Sequence, residues 1–216
     1  MAALPSSLYV VCDAEACARA GWSLPDFAAA CLDGGARFLQ IRDKRNGGRA
    51  MLEAALAVVA RAAAVGATVI VNDRADIARL ANAAGVHVGQ DDLAPADART
   101  VVGDSAIVGL STHTDAQVQD AVRQPISYLA IGPVFGTVSK RTGDEAVGLD
   151  RVSQAGSAAR DAGLPLVAIG GITLDRAREV IAAGATSVAV IGDMFVGRDP
   201  AIRVRQYLHL LGRSIS

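Results

Sequence analysis

Gly66-Ala67-Thr68-Val69-Ile70-Val71-Asn72-Asp73-Arg74 decides how this chain reads. A glycine closes a helical stretch, as expected at a helix C-terminus. A short turn follows, then an apolar run of the kind found in parallel strands buried on both faces. The run ends in three polar residues. The same phrase recurs at Gly35-Ala36-Arg37-Phe38-Leu39-Gln40 and at Gly184-Ala185-Thr186-Ser187-Val188-Ala189.

Working outward, eight apolar runs qualify as strands: 8–13, 38–43, 68–73, 85–90, 107–112, 128–135, 165–171 and 187–192. Ala-rich segments separate them. In 51–65, Leu52, Leu56, Val59 and Ala63 fall at helical spacing. Segments 75–84 and 174–183 read similarly, and 115–123 and 151–162 carry weaker patterns. Gly35, Gly66, Gly85, Gly163 and Gly184 sit where helix ends are expected. Eight strand–helix repeats predict an α/β protein, a closed (β/α)8 TIM barrel formed as one domain over 1–216. An open doubly wound sheet usually has fewer strands, and no Gly-x-Gly-x-x-Gly follows the first strand.

The chain has 216 residues, 51% hydrophobic, with a formal net charge of −1. That is lean for a barrel, so connections must be short. The balanced charge excludes a basic nucleic-acid surface or a polybasic membrane patch. No apolar run reaches the length of a membrane helix. The opening Met1-Ala2-Ala3-Leu4-Pro5 does not read as a secretory signal. Cys12, Cys17 and Cys31 lack metal or redox spacing and read as reduced fillers, predicting a cytoplasmic protein. A homo-oligomer is left open.

In barrels of this kind function sits where strands run into the following loops. Here those ends are polar. Strand 2 ends Gln40-Ile41-Arg42-Asp43-Lys44, strand 3 Asn72-Asp73-Arg74, and strand 4 leads to Gln90-Asp91-Asp92. A lone Asp or Asn after a strand is commonly a helix cap. Convergence of two cations, an Asn and several carboxylates on one rim suits a divalent metal with a polyphosphate. Mg²⁺ binds through one or two carboxylates plus phosphate oxygens. Asp73 with either Asp91 or Asp92 could share one ion, while Arg42 and Lys44 meet phosphate oxygens. Across the barrel, Ala168-Ile169-Gly170-Gly171-Ile172-Thr173 precedes a helix and Ile191-Gly192 closes the last strand. Backbone N–H groups there suit a monophosphate. Two phosphorylated small molecules joined with loss of pyrophosphate would fit such a rim.

These motifs, together with Gly85-Val86-His87-Val88-Gly89-Gln90-Asp91-Asp92, Gly109-Leu110-Ser111 and Gly132-Pro133-Val134-Phe135-Gly136-Thr137-Val138-Ser139-Lys140, resemble the thiamine phosphate synthase family. The resemblance runs from Leu8 to about Phe195. It implies a transferase that joins a hydroxymethylpyrimidine diphosphate to a thiazole monophosphate. The products are thiamine phosphate and pyrophosphate, with CO₂ when the thiazole is carboxylated. It implies that Gln40, Ile41, Arg42, Asp43, Lys44, Asn72, Ser111 and Lys140 serve the pyrimidine diphosphate. Of these, Arg42, Lys44, Ser111 and Lys140 would be catalytic. Asp73 and Asp92 would hold Mg²⁺. Thr137, Val138, Ser139, Gly171, Ile191 and Gly192 would cradle the thiazole phosphate. Two departures stand out. The family often has Thr-x-Thr-Lys where this chain has Thr137-Val138-Ser139-Lys140. It commonly has Ile-Ser where this chain has Ile191-Gly192, which keeps the backbone N–H and loses a hydroxyl.

The nearest rival is a thiazole tautomerase, which shares the barrel and monophosphate side and would use a His such as His113. Lys44, Asp73, Asp92 and Lys140 would be superfluous there, and both His87 and His113 read as structural or supporting. A non-catalytic binder of thiamine-pathway phosphates has no use for intact metal ligands. A sugar-phosphate isomerase would want an acid/base Glu at a strand end, which is missing. Loop 136–148 reads as a lid. Trp22 reads as a cap on the mouth or a surface residue, and Tyr207 and His209 as packing residues.

Overall fold

The computed structural model describes residues 4–136 and 145–212. Eight parallel strands close into a barrel in sequence order. They are β1 (Leu8–Asp13), β2 (Phe38–Arg42), β3 (Thr68–Asn72), β4 (Gly85–Val88), β5 (Ile107–Thr112), β6 (Tyr128–Ile131), β7 (Leu166–Ile169) and β8 (Ser187–Val190). Leu8–Val10 pair with Val188–Val190, so β1 and β8 complete the ring. Helices wrap the outside: α1 (Ala14–Arg19), α2 (Leu24–Asp33), α3 (Gly48–Ala63), α4 (Ala75–Leu80), α5 (Pro95–Val102), α6 (Asp115–Ala121), α7 (Gly148–Asp161), α8 (Leu174–Ala182) and α9 (Pro200–Leu211). A 3₁₀ turn, Gly192–Phe195, follows β8. The (β/α)8 expectation is met. Thr137, Val138, Ser139, Lys140 and most of the anticipated lid lie outside the described residues.

Side chains alternate across each strand, which divides the core in two. Val10, Cys12, Leu39 and Ile41 face outward and pack against the helices. Tyr9, Val11, Phe38, Ile70, Tyr128, Val167 and Ala189 fill the barrel interior. Tyr9 and Phe38 stack with ring centroids 3.7 Å apart. The same alternation sends Gln40 and Arg42 inward above Phe38. Ile41, expected beside the pyrimidine diphosphate, is instead fully buried in the outer layer.

β1 and β5 end where expected, and the other six strands end earlier, two of them for a clear local reason. β6 stops at Ile131, where Gly132 and Pro133 turn the chain and Val134 N–H bonds the Ile169 carbonyl at 2.9 Å. β7 stops because Gly170 and Gly171 take φ of 105° and 64°. Four of the five marked glycines have the positive φ of a helix-ending residue. Gly85 differs: it lies inside β4, where an added Cβ would meet the Ile107 backbone. Asn82, with φ of 53°, takes the left-handed position after α4 in its place. Segments α1, α2 and α5 were not anticipated from the sequence.

Cys12, Cys17 and Cys31 are free and buried. Burial pushes the Cys17 thiol up to about 12. Among the described residues no helix is long and apolar enough to cross a membrane.

Candidate active site

The strands' C-terminal ends open into one cavity of about 1240 Å³. Its walls carry Arg42, Lys44, Asn72, Asp73, Asp91, Asp92 and Ser111 on one side, and Gly170, Gly171, Ile191 and Gly192 on the other.

Asp13, at the end of β1, organises the first side. One carboxylate oxygen accepts the Ala16 N–H at 2.9 Å, capping α1. The other pairs with Arg42. Asp13 is 5% and Arg42 16% exposed at the side chain, so the pair fixes the guanidinium at the cavity edge. Nothing in the sequence marked Asp13 beyond its place at a strand end.

Lys44 reaches across to Asp73, Nζ to Oδ2 2.9 Å. Asp73 has φ of 62°, a costly conformation for a non-glycine residue and one that clusters at functional sites. Its N–H bonds the His87 carbonyl at 2.7 Å, which holds the bend in place. Burial raises the Asp73 carboxyl above its ordinary range; the neighbouring Asp92 adds to this and Lys44 opposes it. Asp92 in turn accepts the Gly89 N–H at 2.8 Å. Two carboxylates close enough to feel each other thus sit beside a lysine. Among the described residues no cluster of three potential metal ligands forms. A Mg²⁺ ion bound through two carboxylates and substrate oxygens needs none. The mutual repulsion of Asp73 and Asp92 is what a cation would relieve, so the pair fits such an ion.

Asp43 points elsewhere. It closes its own loop, accepting from Arg45 N–H and Asn46 N–H at 3.0 Å each and from the Asn46 amide at 2.8 Å. Burial alone would raise its carboxyl, but these bonds from Asn46 and Arg45 bring it below the ordinary value. Gln40 is buried with its amide on Tyr9, and neither Gln40 nor Asp43 lines the cavity.

The second side is built from backbone. Added Cβ atoms at Gly170 and Gly171 would meet Pro133 and the Gly136 carbonyl at 2.5 and 2.7 Å. Only glycine allows the strand-7 and strand-6 loops to approach this closely. Among the described residues, no group accepts a hydrogen bond from the N–H of Gly171, Ile172 or Gly192. Such donors at the cavity wall beside the start of α8 suit an anion. Asp193, missed by sequence reasoning, pins this region. Its Oδ2 accepts from Leu174 N–H at 3.1 Å, Arg203 Nη2 at 2.7 Å and Tyr207 Oη at 2.6 Å. Tyr207 is therefore more than packing: it ties α9 to the turn after β8. Arg176, also unanticipated, lines the cavity with its guanidinium 4.5 Å above the Phe135 ring.

His113 lines the cavity and its Nδ1 bonds the Gly132 carbonyl at 2.6 Å. Trp22 packs edge-on against Phe27 and does not line the cavity.

Fold and rim together define a (β/α)8 barrel whose mouth carries a cation–carboxylate side and a backbone-donor side. A family model described as thiamine monophosphate synthase matches residues 8–194. The chain is 47% identical over 189 residues to a thiamine-phosphate synthase of Koribacter versatilis, covering 88% of this chain and 87% of that one. It is 41% identical over 199 residues to a thiamine-phosphate synthase of Roseiflexus castenholzii, covering 92% and 85%. A solved thiamine phosphate pyrophosphorylase from Pyrococcus furiosus superimposes with a TM-score of 0.84 at 27% identity, covering 95% of each chain. The chain belongs to the thiamine monophosphate synthase family.

Proposed function

We propose that this enzyme is a thiamine phosphate synthase. It condenses 4-amino-2-methyl-5-(diphosphooxymethyl)pyrimidine with a thiazole phosphate, giving thiamine phosphate and pyrophosphate. With the carboxylated thiazole, CO₂ is also lost. The observation that carries the reading is the pairing, in one cavity, of the Arg42–Lys44–Asp73–Asp92 side with the Gly171–Gly192 backbone side.

Arg42, Lys44 and Asn72 bind the diphosphate, joined by Lys140 on the strength of the family motif. Asp73 and Asp92 would hold Mg²⁺, which when bound neutralises charge on pyrophosphate oxygens. As the methylene C–O bond breaks, its electron pair leaves with pyrophosphate. Arg42 and Lys44 stabilise that negative charge. The aminopyrimidine ring carries the positive charge left on the methylene. The thiazole nitrogen, held by its phosphate at Gly171, Ile191 and Gly192, to which the family motif adds Thr137, Val138 and Ser139, then forms the new C–N bond. Positioning and leaving-group electrostatics do the work, without a covalent protein intermediate. Buried free thiols agree with a cytoplasmic setting.

The test is direct. The protein is incubated with both phosphorylated substrates, with and without Mg²⁺, and pyrophosphate and thiamine phosphate are measured. Product forming only with both substrates and a divalent ion supports the proposal. Absence of pyrophosphate release sinks it. The convergence of Lys44, Asp73 and Asp92 disfavours the tautomerase reading, which has no use for them.

A further inference from the structure

Beneath the cavity floor a row of hydrogen bonds runs up the barrel axis. Gln40 Nε2 donates to Tyr9 Oη at 3.0 Å. Tyr9 Oη and Tyr128 Oη lie 3.1 Å apart. Tyr128 Oη is 2.8 Å from His87 Nδ1, and His87 Nε2 is 2.8 Å from Ser111 Oγ. Tyr9 and Tyr128 are buried, whereas His87 and Ser111 line the cavity. The space is made by Gly109, where an added Cβ would collide with Tyr128 and sit 2.5 Å from His87 Nδ1.

One direction gives every buried proton of this row an acceptor. Tyr9 Oη accepts from Gln40, so its own proton passes to its other neighbour, Tyr128. Tyr128 then gives its proton to His87 Nδ1, leaving the imidazole proton on Nε2, where it is donated to Ser111 Oγ. The reverse order would leave the Tyr9 proton in the buried barrel floor without an acceptor among the described residues, which is costly. Burial pushes both tyrosines above their ordinary range, so both stay protonated and able to donate.

We propose that this directed row makes Ser111 a hydrogen-bond donor toward the cavity, with His87 and Tyr128 as positioning residues, so that the site selects a ligand presenting an acceptor there. Ser111 Oγ accepts from His87, and its own O–H finds no acceptor among the described residues. The inference rests on the proposed pyrimidine substrate in one respect only: a ring nitrogen is the acceptor Ser111 would read. Gln40 contributes from outside the cavity by setting the direction at the row's far end.

Two measurements test it separately. The first needs no substrate. ¹⁵N NMR of the full-length protein, with His87 assigned by comparison with His113→Gln and His209→Gln, reads the His87 tautomer. A proton on Nε2 with a bare Nδ1 is expected, and Tyr128→Phe should abolish that strong preference. A proton on Nδ1, or on both nitrogens, overturns the row's direction whatever the enzyme's activity. The second uses pyridine analogues of the pyrimidine diphosphate in which one or other ring nitrogen is replaced by C–H. The wild-type protein should bind one of them about 10-fold to 100-fold more weakly than the parent, because a donor is left unpaired. Ser111→Ala should remove most of that discrimination. Equal binding of all three compounds by the wild type overturns the selection of an acceptor. If neither the parent nor the analogues bind at all, the substrate reading fails, and with it acceptor selection by Ser111; the tautomer measurement still decides the direction of the row.

Discussion

The two sides of the cavity mouth are made of different material. At strands β2 to β4 charged side chains line the cavity: Arg42 pinned by Asp13, and Lys44 on Asp73 with Asp92 adjacent. At strands β7 and β8 the groups offered to the cavity are backbone N–H donors, shaped by Gly170 and Gly171 and held by Asp193. A side-chain site loses its chemistry when one residue is truncated. A backbone site tolerates truncation, because the donor remains, and fails when the loop is forced to move. The two halves of one reaction should therefore break in different ways.

The largest effect is expected on the side-chain half. Asp73→Ala removes one carboxylate of the Asp73–Asp92 pair and the partner of Lys44. Pyrophosphate release should fall about 1,000-fold or more, the scale of several kcal/mol of charge stabilisation. Asp92→Ala should fall by a similar factor. The double variant should be little worse than either, since the two act as one unit. Steady-state assays at varied Mg²⁺ read this, and full activity in both single variants would rule out the metal assignment.

Gly171→Ala attacks the other half. Its φ of 64° and the contact its Cβ would make with the Gly136 carbonyl both oppose a side chain. A stability loss of about 1–3 kcal/mol is expected. The KM for the thiazole phosphate should rise about tenfold or more, with the KM for the pyrimidine diphosphate nearly unchanged. Equal rises in both would show that the two sides are not separable.

Gly192→Ser should have a smaller and opposite effect. It restores a hydroxyl common in the family next to a backbone donor that this chain already offers. One added hydrogen bond should lower the thiazole phosphate KM about 3- to 10-fold. An unchanged KM would mean that the backbone alone saturates the phosphate here.

The same contrast explains what could be read before the fold was known. The eight strands were legible because their runs are almost continuously apolar, and the rim followed from the polar residues ending them. Arg42, Lys44, Asp73 and Asp92 were accessible because side-chain chemistry is written in residue type. Ile41 and Asp43 were expected at the site from the family motif. Strand alternation turns Ile41 outward, and Asn46 draws Asp43 into its own loop. Asp13, Asp193 and Tyr207 stayed hidden because their partners are distant in the chain: Arg42 lies 29 residues from Asp13, and Tyr207 14 from Asp193. Gly170-Gly171 was visible, yet the contact with the strand-6 loop that demands glycine needs three dimensions to see.

The smallest expected effect concerns stability and returns to Asp73. Its carboxyl is raised by burial and by Asp92, against the pull of Lys44. A carboxyl whose folded pKa lies above its unfolded one favours folding most below the unfolded value, about 3.9. That contribution is lost as pH rises through the folded value. At neutral pH, without divalent ions, the ionised Asp73 therefore works against the fold. Asp73→Asn should raise stability by on the order of 0.5 kcal/mol, after allowance for solvent screening. The gain should fade toward pH 4 and reverse when Mg²⁺ stabilises the wild type by binding. Thermal melts of both proteins across pH, with and without Mg²⁺, measure this. No comparable gain is expected from changing side chains on the backbone-built side. A stabilising substitution that abolishes activity is what a site tuned for binding at the expense of stability should show.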